Sequence, residues 1–219
     1  MIKLQKFFLN DKVFKAMTAF ALLGFVVSTV LEIDKVFNPL SVAMTAFIVL
    51  GVMTIYVAYR NKENSVAKSM IGAVIGFQMC VHIDYLFSTR FAADTFTTGE
   101  KVLGAAAFLV TALLFINHFR IISEHASDLK RVIFSQYLWI LKIVLLIDYI
   151  PDIVRSADAV GAAVSVFNAL AHLFTFGLIV CIETRLDSYR YYRETAEAKG
   201  EWTEELKAET KEKVFGEKE

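Results

Sequence analysis

The sequence predicts an all-α, polytopic membrane protein with six transmembrane helices. Three long stretches contain no Asp, Glu, Lys or Arg: 41–59, 102–119 and 159–182. About 20 residues at a rise of about 1.5 Å cross a hydrocarbon core of about 30 Å, so each stretch is long enough for one crossing. Apolar residues make up 56% of the 219 residues, with 10 Gly and 2 Pro, which excludes a disordered or collagen-like chain.

The helices follow one another along the chain with short connections, which predicts antiparallel hairpins. Three further stretches have the right length but contain isolated charges, and together they give six spans: 14–33, 41–59, 66–88, 102–119, 132–154 and 159–182. Pro39 stands at the first helical position of the second span, and Thr97 and Glu100 have capping-box spacing ahead of the fourth. Ser156 or Asp158 can cap the sixth span.

Basic residues indicate the orientation. The alternate loops contain Lys35, Arg90, Lys101 and Arg155, whereas thirteen Lys and Arg residues lie at or next to the helix ends of the other side: Lys3, Lys6, Lys12, Lys15, Arg60, Lys62, Lys68, Arg120, Lys130, Arg131, Arg185, Arg190 and Arg193. The positive-inside rule therefore predicts that both termini are cytoplasmic, in a plasma or inner membrane. We expect a short cytoplasmic segment (1–12), a six-helix transmembrane domain (13–186) and a charged, partly helical cytoplasmic tail (187–219).

A similar pattern ends the first, third and fifth spans. Asp34, Asp84 and Asp148 each follow an isoleucine at these ends, and each partner helix then returns to an arginine. The pattern is compatible with three copies of one helical hairpin, an arrangement related to the internal repeats of membrane transport folds.

Several polar side chains are predicted to lie at membrane depth, where each needs a partner or water. Gln78 and His82 share one face of the third span, and Asn168 and His172 lie on a polar stripe of the sixth. Packing between helices explains many small polar residues. Lys142, near the middle of the fifth span, either pairs with a carboxylate, faces a water-filled cavity or is uncharged.

These groups favour a channel or transporter for a small cation, a proton or a small polar solute. Acidic residues outnumber basic ones at the outer helix ends, so an acidic mouth that attracts cations is expected. The candidate transport residues are Glu32, Asp34, Gln78, His82, Asp84, Lys142, Asp148, Asn168 and His172.

The alternative is a non-catalytic membrane scaffold or subunit that assembles through its polar helix faces and charged C-terminal tail. In either case we expect a homo-oligomer or membrane complex in the lipid bilayer. No catalytic motif occurs, so an intramembrane enzyme or redox protein comes third, and we expect no enzyme, metal or cofactor. His82 and His172 differ in predicted depth by about 9 Å, which disfavours a haem between them. The topology explains the basic residues, so nucleic-acid binding is not expected.

Overall fold

The computed structural model describes residues 3–33, 39–60, 64–123 and 126–215, and every element in these ranges is helical. This confirms the all-α prediction. The elements are α1 (Lys3–Leu9), α2 (Asp11–Ile33), α3 (Pro39–Arg60), α4 (Asn64–Asp84), a π-helical segment (Tyr85–Phe91), α5 (Thr98–Ser123), α6 (Leu129–Val144), a 3-10 segment (Leu145–Tyr149), α7 (Ile150–Arg155), α8 (Ala159–Glu197) and α9 (Glu204–Phe215).

Four helical stretches in the described residues are long and apolar enough to cross a membrane: Asp11–Ile33, Ser69–Ser88, Thr98–Ile121 and Ala159–Glu197. A shorter apolar stretch, Val42–Val57, lies in α3. Large apolar side chains point outward, with Leu50 and Val102 63% exposed and Val154 75% exposed. Such a surface suits lipid rather than water. Six crossings and the threefold repeat stay predictions.

Six long helices of the chain pack side by side in a closed ring. Each of α2, α3, α4, α5 and α6 packs on the next long helix, and α8 closes the ring by packing on α2. The α2–α8 contact is the most extensive and is very close at Gly24, where a Cβ atom would lie 2.8 Å from Ala171 Cβ and 2.9 Å from the Phe167 carbonyl oxygen. Small residues therefore set the distance between the first and last long helices.

The fifth predicted span is not one regular helix. It consists of α6, the 3-10 segment and α7, with Pro151 near the start of α7. Proline has no N–H group, and its ring clashes with the carbonyl of the residue four positions earlier, here Ile147, so a regular α-helix cannot continue. The tighter 3-10 turn before it places Asp148 in the interior, where it is 5% exposed.

Two of the predicted caps are confirmed. The Thr97 N–H donates to Glu100 Oε2 (2.7 Å) and the Glu100 N–H donates to Thr97 Oγ1 (3.3 Å), which is a capping box at the start of α5. Of the two possible caps for the last span, Asp158 accepts a hydrogen bond from the Gly161 N–H at 2.8 Å.

Both ends of the described chain fold back onto the bundle. Phe8 of α1 is fully buried, and its ring meets Trp139 edge-on at 5.4 Å. In α9, Val214 is 3% exposed and the Phe215 ring lies 5.6 Å from Tyr189 of α8. α8 itself continues as one helix to Glu197, through the boundary predicted at residue 186.

The close approach at Gly24 predicts a stability effect. Gly24→Ala forces a Cβ into Ala171 and the backbone of α8, and such overpacking typically costs about 1–3 kcal/mol. We expect a lower midpoint of thermal unfolding in detergent micelles. Gly76→Ala is the control, because its added Cβ has no described atom within 4 Å beyond its chain neighbours and the adjacent backbone of its own helix, so that midpoint is expected to stay equal or rise. Equal midpoints for the two variants would contradict the close contact.

Candidate functional site

A cavity of about 420 Å³ lies inside the ring, towards the end that carries the π-helical segment and α7. Six of the nine predicted transport residues line it: Gln78, His82, Lys142, Asp148, Asn168 and His172. Four of them come in pairs spaced four residues apart, on α4 and on α8, and this spacing places side chains on one face of a helix. α6 and the 3-10 segment add Lys142 and Asp148.

The other three predicted residues lie elsewhere. Glu32 lines a second cavity, of about 280 Å³, which α2 and α3 share with α4 and α8. Asp84 is exposed, accepts a hydrogen bond from Ser88 Oγ at 3.0 Å and lines neither cavity. Asp34 lies outside the described residues. Asp84 and Asp148 therefore do not meet at one mouth.

Lys142 projects from α6 into the space between α5 and α8. Its ammonium donates a hydrogen bond to Thr111 Oγ1 at 2.8 Å and lies 4.7 Å from the centre of the Phe176 ring. Within the described ranges, no carboxylate comes within ion-pair distance of this ammonium. The sequence leaves three alternatives open for Lys142: a carboxylate partner, a cavity or an uncharged side chain. In the structure, Lys142 lines a cavity.

Arg90 is the main site residue that the sequence analysis misses, because it assigns this residue to a loop. The π-helical segment instead places Arg90 in the interior, with 1% of its side chain exposed. Residues five apart point about 140° away from each other in an α-helix, whereas a π-helix bonds residue i to i+5 and stacks them. Tyr85 and Arg90 are five apart and both contact Asp152, with Tyr85 Oη donating at 2.5 Å.

The Arg90 guanidinium joins several segments around the cavity. It donates to the Asp148 carboxylate, to the Asp148 carbonyl oxygen (2.8 Å) and to Asp152 Oδ2 (3.0 Å). It also lies 5.4 Å from the centre of the Phe96 ring. α5 makes room for it at Gly104, where a Cβ would come within 2.8 Å of Arg90 Nη1. A buried guanidinium is tolerated here because carboxylates and a carbonyl accept from both Nη groups, although Nε has no partner among the described residues.

Arginines thus neutralise much of the acidic end. Besides the two aspartates that bind Arg90, Glu100 accepts hydrogen bonds from Arg155 Nη2 at 2.7 and 2.9 Å. Of the acidic residues at the outer helix ends, Glu100, Asp148 and Asp152 are therefore in ion pairs with arginines. Among the described residues, Lys142 faces the cavity without such a counter-ion.

Gln78 lies between the two cavities and lines both. It is 3% exposed, and in the described part of the chain neither atom of its side-chain amide has a hydrogen-bond partner. Asn168 and His172 of α8 also line both cavities, and the His172 ring meets Phe25 edge-on at 5.4 Å. Buried amides normally have partners, so a bare glutamine that faces two cavities indicates a place for a ligand or water.

Polar groups at the other end of the bundle pair with each other. His118 Nδ1 and Glu183 Oε1 lie 2.5 Å apart, and their side chains are 2% and 1% exposed. Gln136 Nε2 donates to Thr184 Oγ1 at 3.1 Å in the same layer. The pairing of His118 with Glu183 was not predicted, because hydropathy places Glu183 at the end of a span.

Two further observations limit the functional reading. In the described part of the chain, no group of three or more His, Cys, Asp or Glu side chains is placed to hold a metal ion. Comparison with protein families, with curated proteins and with solved structures gives no match to this chain. The function is therefore inferred from the cavity itself, in a helical protein with four helices able to cross a membrane.

The buried network predicts unequal effects of removing two arginines. Arg90→Gln leaves Asp148 buried without its partner, and breaking such a pair typically costs about 3–5 kcal/mol, so we expect a large fall in the midpoint of thermal unfolding. Arg155→Gln is the matched control, because its side chain is 37% exposed and its ion pair with Glu100 contributes less. Similar losses in both variants would show that Arg90 does not organise this end.

Proposed function

We propose that the protein is a membrane transporter that carries a small polar solute through the cavity of about 420 Å³. The observation that carries this proposal is the pair of polar groups left without adequate partners in the cavity wall. Lys142 has a hydroxyl but no carboxylate, and the Gln78 amide has no partner in the described residues. Polar groups inside a membrane bundle are costly, and they commonly mark a substrate path.

Helix packing alone explains this arrangement poorly. Where packing is the purpose, polar side chains bond across helices, as His118 with Glu183 and Gln136 with Thr184 do at the other end. At that end His118, Gln136 and Glu183 each still have one side-chain atom without a partner in the described residues, but each makes one bond across helices, whereas neither atom of the Gln78 amide makes any. A solute or water in the cavity can complete the hydrogen bonds of Gln78 and Lys142.

The two ends of the bundle favour a carrier over an open pore. Arg155 lines the cavity and is partly exposed, which supports entry of the solute from the end of the bundle where Arg90 lies. Beyond Lys142, α8 is tightly packed, with Leu178 fully buried and Ile182 2% exposed. A solute that enters the cavity meets this packed layer, so release on the far side requires a conformational step.

The proposal includes six crossings, with both termini in the cytoplasm. The ring is closed by six helical segments, and the two that fall short of a regular span are α3 and the α6–α7 segment. The lipid-facing exposure of Leu50 and Val154 supports a membrane position for both. Both cavities lie within one chain, so the solute path needs no second protomer.

Flux in proteoliposomes tests this function. We use three labelled probes with one carbon skeleton and different charge: lactate, lactamide and 1-amino-2-propanol. At least one is expected to equilibrate at least tenfold faster than in protein-free liposomes. Ser165→Phe, which places a ring in the cavity wall, is expected to reduce that flux at least tenfold.

Val166→Phe is the control for this variant. Val166 is the next residue of α8 and is 38% exposed, so its added ring points away from the cavity and flux is expected to stay at the wild-type rate. Transport is contradicted if none of the three probes exceeds the protein-free rate, or if Ser165→Phe transports as fast as Val166→Phe.

A further inference from the structure

We infer that the cavity binds a small monocarboxylate and that the Lys142 ammonium is its charge partner. This inference rests on the proposed transport function and specifies its substrate class. It is carried by the distribution of charges around the cavity, by the bare Gln78 amide and by the size and lining of the space.

Three carboxylates around the cavity (Asp148, Asp152 and Glu100) equal Arg90, Arg155 and Lys142 in number, but among the described residues none of them lies at ion-pair distance from the Lys142 ammonium. Arg90 binds Asp148 and Asp152, and Arg155 binds Glu100. These contacts engage the carboxylates that could otherwise turn towards Lys142. The Lys142 ammonium therefore has no carboxylate at ion-pair distance among the described residues, and a monoanionic solute in the cavity can form that pair, whereas a cation cannot and a dianion leaves one of its charges unpaired.

The Lys142 ammonium has donors to spare. A lysine ammonium has three N–H donors, and in the described residues one of them is used, in the bond to Thr111 Oγ1. A carboxylate in the cavity accepts from the remaining donors and supplies the missing charge. In a low-dielectric site such a charge-assisted bond is stronger than a bond between neutral groups.

Gln78 and Asn168 provide amide donors from the neighbouring helices. Both line the same cavity as Lys142, and the Gln78 amide is buried without a partner in the described residues. A planar carboxylate has two oxygens, so it can accept from the ammonium on one side and from an amide on the other. A spherical ion such as chloride has no second acceptor atom with which to reach donors on both sides of the cavity.

The remaining wall suits a short carbon chain. Val81 and Phe176 contribute apolar surface to the cavity. Its volume of about 420 Å³ lies in the lower part of the range of about 300–1,000 Å³ that is typical of small-molecule sites. A monocarboxylate with an apolar carbon chain therefore fits this space, and lactate, which is much smaller than the cavity, serves as the minimal probe for it.

Binding to the purified full-length chain in lipid nanodiscs tests the inference, with isothermal titration of the same three probes. We expect lactate to bind at least tenfold more tightly than lactamide and 1-amino-2-propanol. Lys142→Met should abolish this preference, whereas Lys142→Arg, which keeps the charge, should retain part of it. Gln78→Leu should weaken lactate binding by about threefold or more, and it should not strengthen the binding of 1-amino-2-propanol.

Lys130→Met is the matched control, because Lys130 lies on the same helix and is exposed. It is expected to bind lactate like the wild type. Thermal unfolding checks the fold of each variant, and Lys142→Met should not lower the midpoint, because it removes a charge from an interior position. If Lys142→Met does lower the midpoint, the lactate affinities of Lys142→Arg and Gln78→Leu are compared with that of the wild type. A wild-type lactate affinity in both variants overturns the inference.

Three results overturn the monocarboxylate assignment: lactamide or 1-amino-2-propanol binding as tightly as lactate, an unchanged lactate preference in Lys142→Met, or displacement of lactate by chloride at equal concentration. The two proposals fail differently. Flux of lactamide without a lactate preference leaves transport standing and removes the carboxylate. Binding of lactate that depends on Lys142 without any flux leaves the site standing and removes transport.

Discussion

The site depends on the buried contacts of Arg90 with Asp148 and Asp152. They join the π-helical segment to the 3-10 segment and α7, so three short helical segments become one end of the bundle. Taking these charges out of water is expensive, and the cost is offset because the guanidinium also bonds a carbonyl and contacts the Phe96 ring. The network exists because Gly104 lets the arginine approach α5 and because the π turn directs it inward.

This network decides the chemistry of the cavity. Asp148 lines the same cavity as Lys142, but its carboxylate bonds Arg90. Among the described residues, the Lys142 ammonium contacts a hydroxyl and an aromatic ring instead of a carboxylate. An arginine that appears structural therefore holds a carboxylate of the cavity wall away from direct pairing with Lys142. The selectivity proposed for the cavity follows from the allocation of partners rather than from the number of charges.

Regular helical spacing made much of the site predictable. Gln78 with His82, and Asn168 with His172, could be placed on shared faces because both pairs lie on regular α-helices. Arg90 could not be found in this way, since a period of 3.6 residues does not apply to a π turn. Pro151, in contrast, indicates from the sequence alone that the fifth span is not one regular α-helix. The partner of His118 depends on how α5 and α8 are rotated against each other, which no local pattern specifies.

α8 connects the cavity to the closed end. Up to His172 its polar residues face open space, and from Leu173 to Asp187 nearly every side chain is buried. Gly24 of α2 and Trp139 of α6 both contact α8 near this transition, the latter through a hydrogen bond from Nε1 to the Leu173 carbonyl oxygen at 3.0 Å. The first and last long helices are thereby fixed to each other at the same level. In the proposed transporter, opening of the far side must separate α8 from α2, α5 or α6, because contacts at the closed end join α8 to each of these helices.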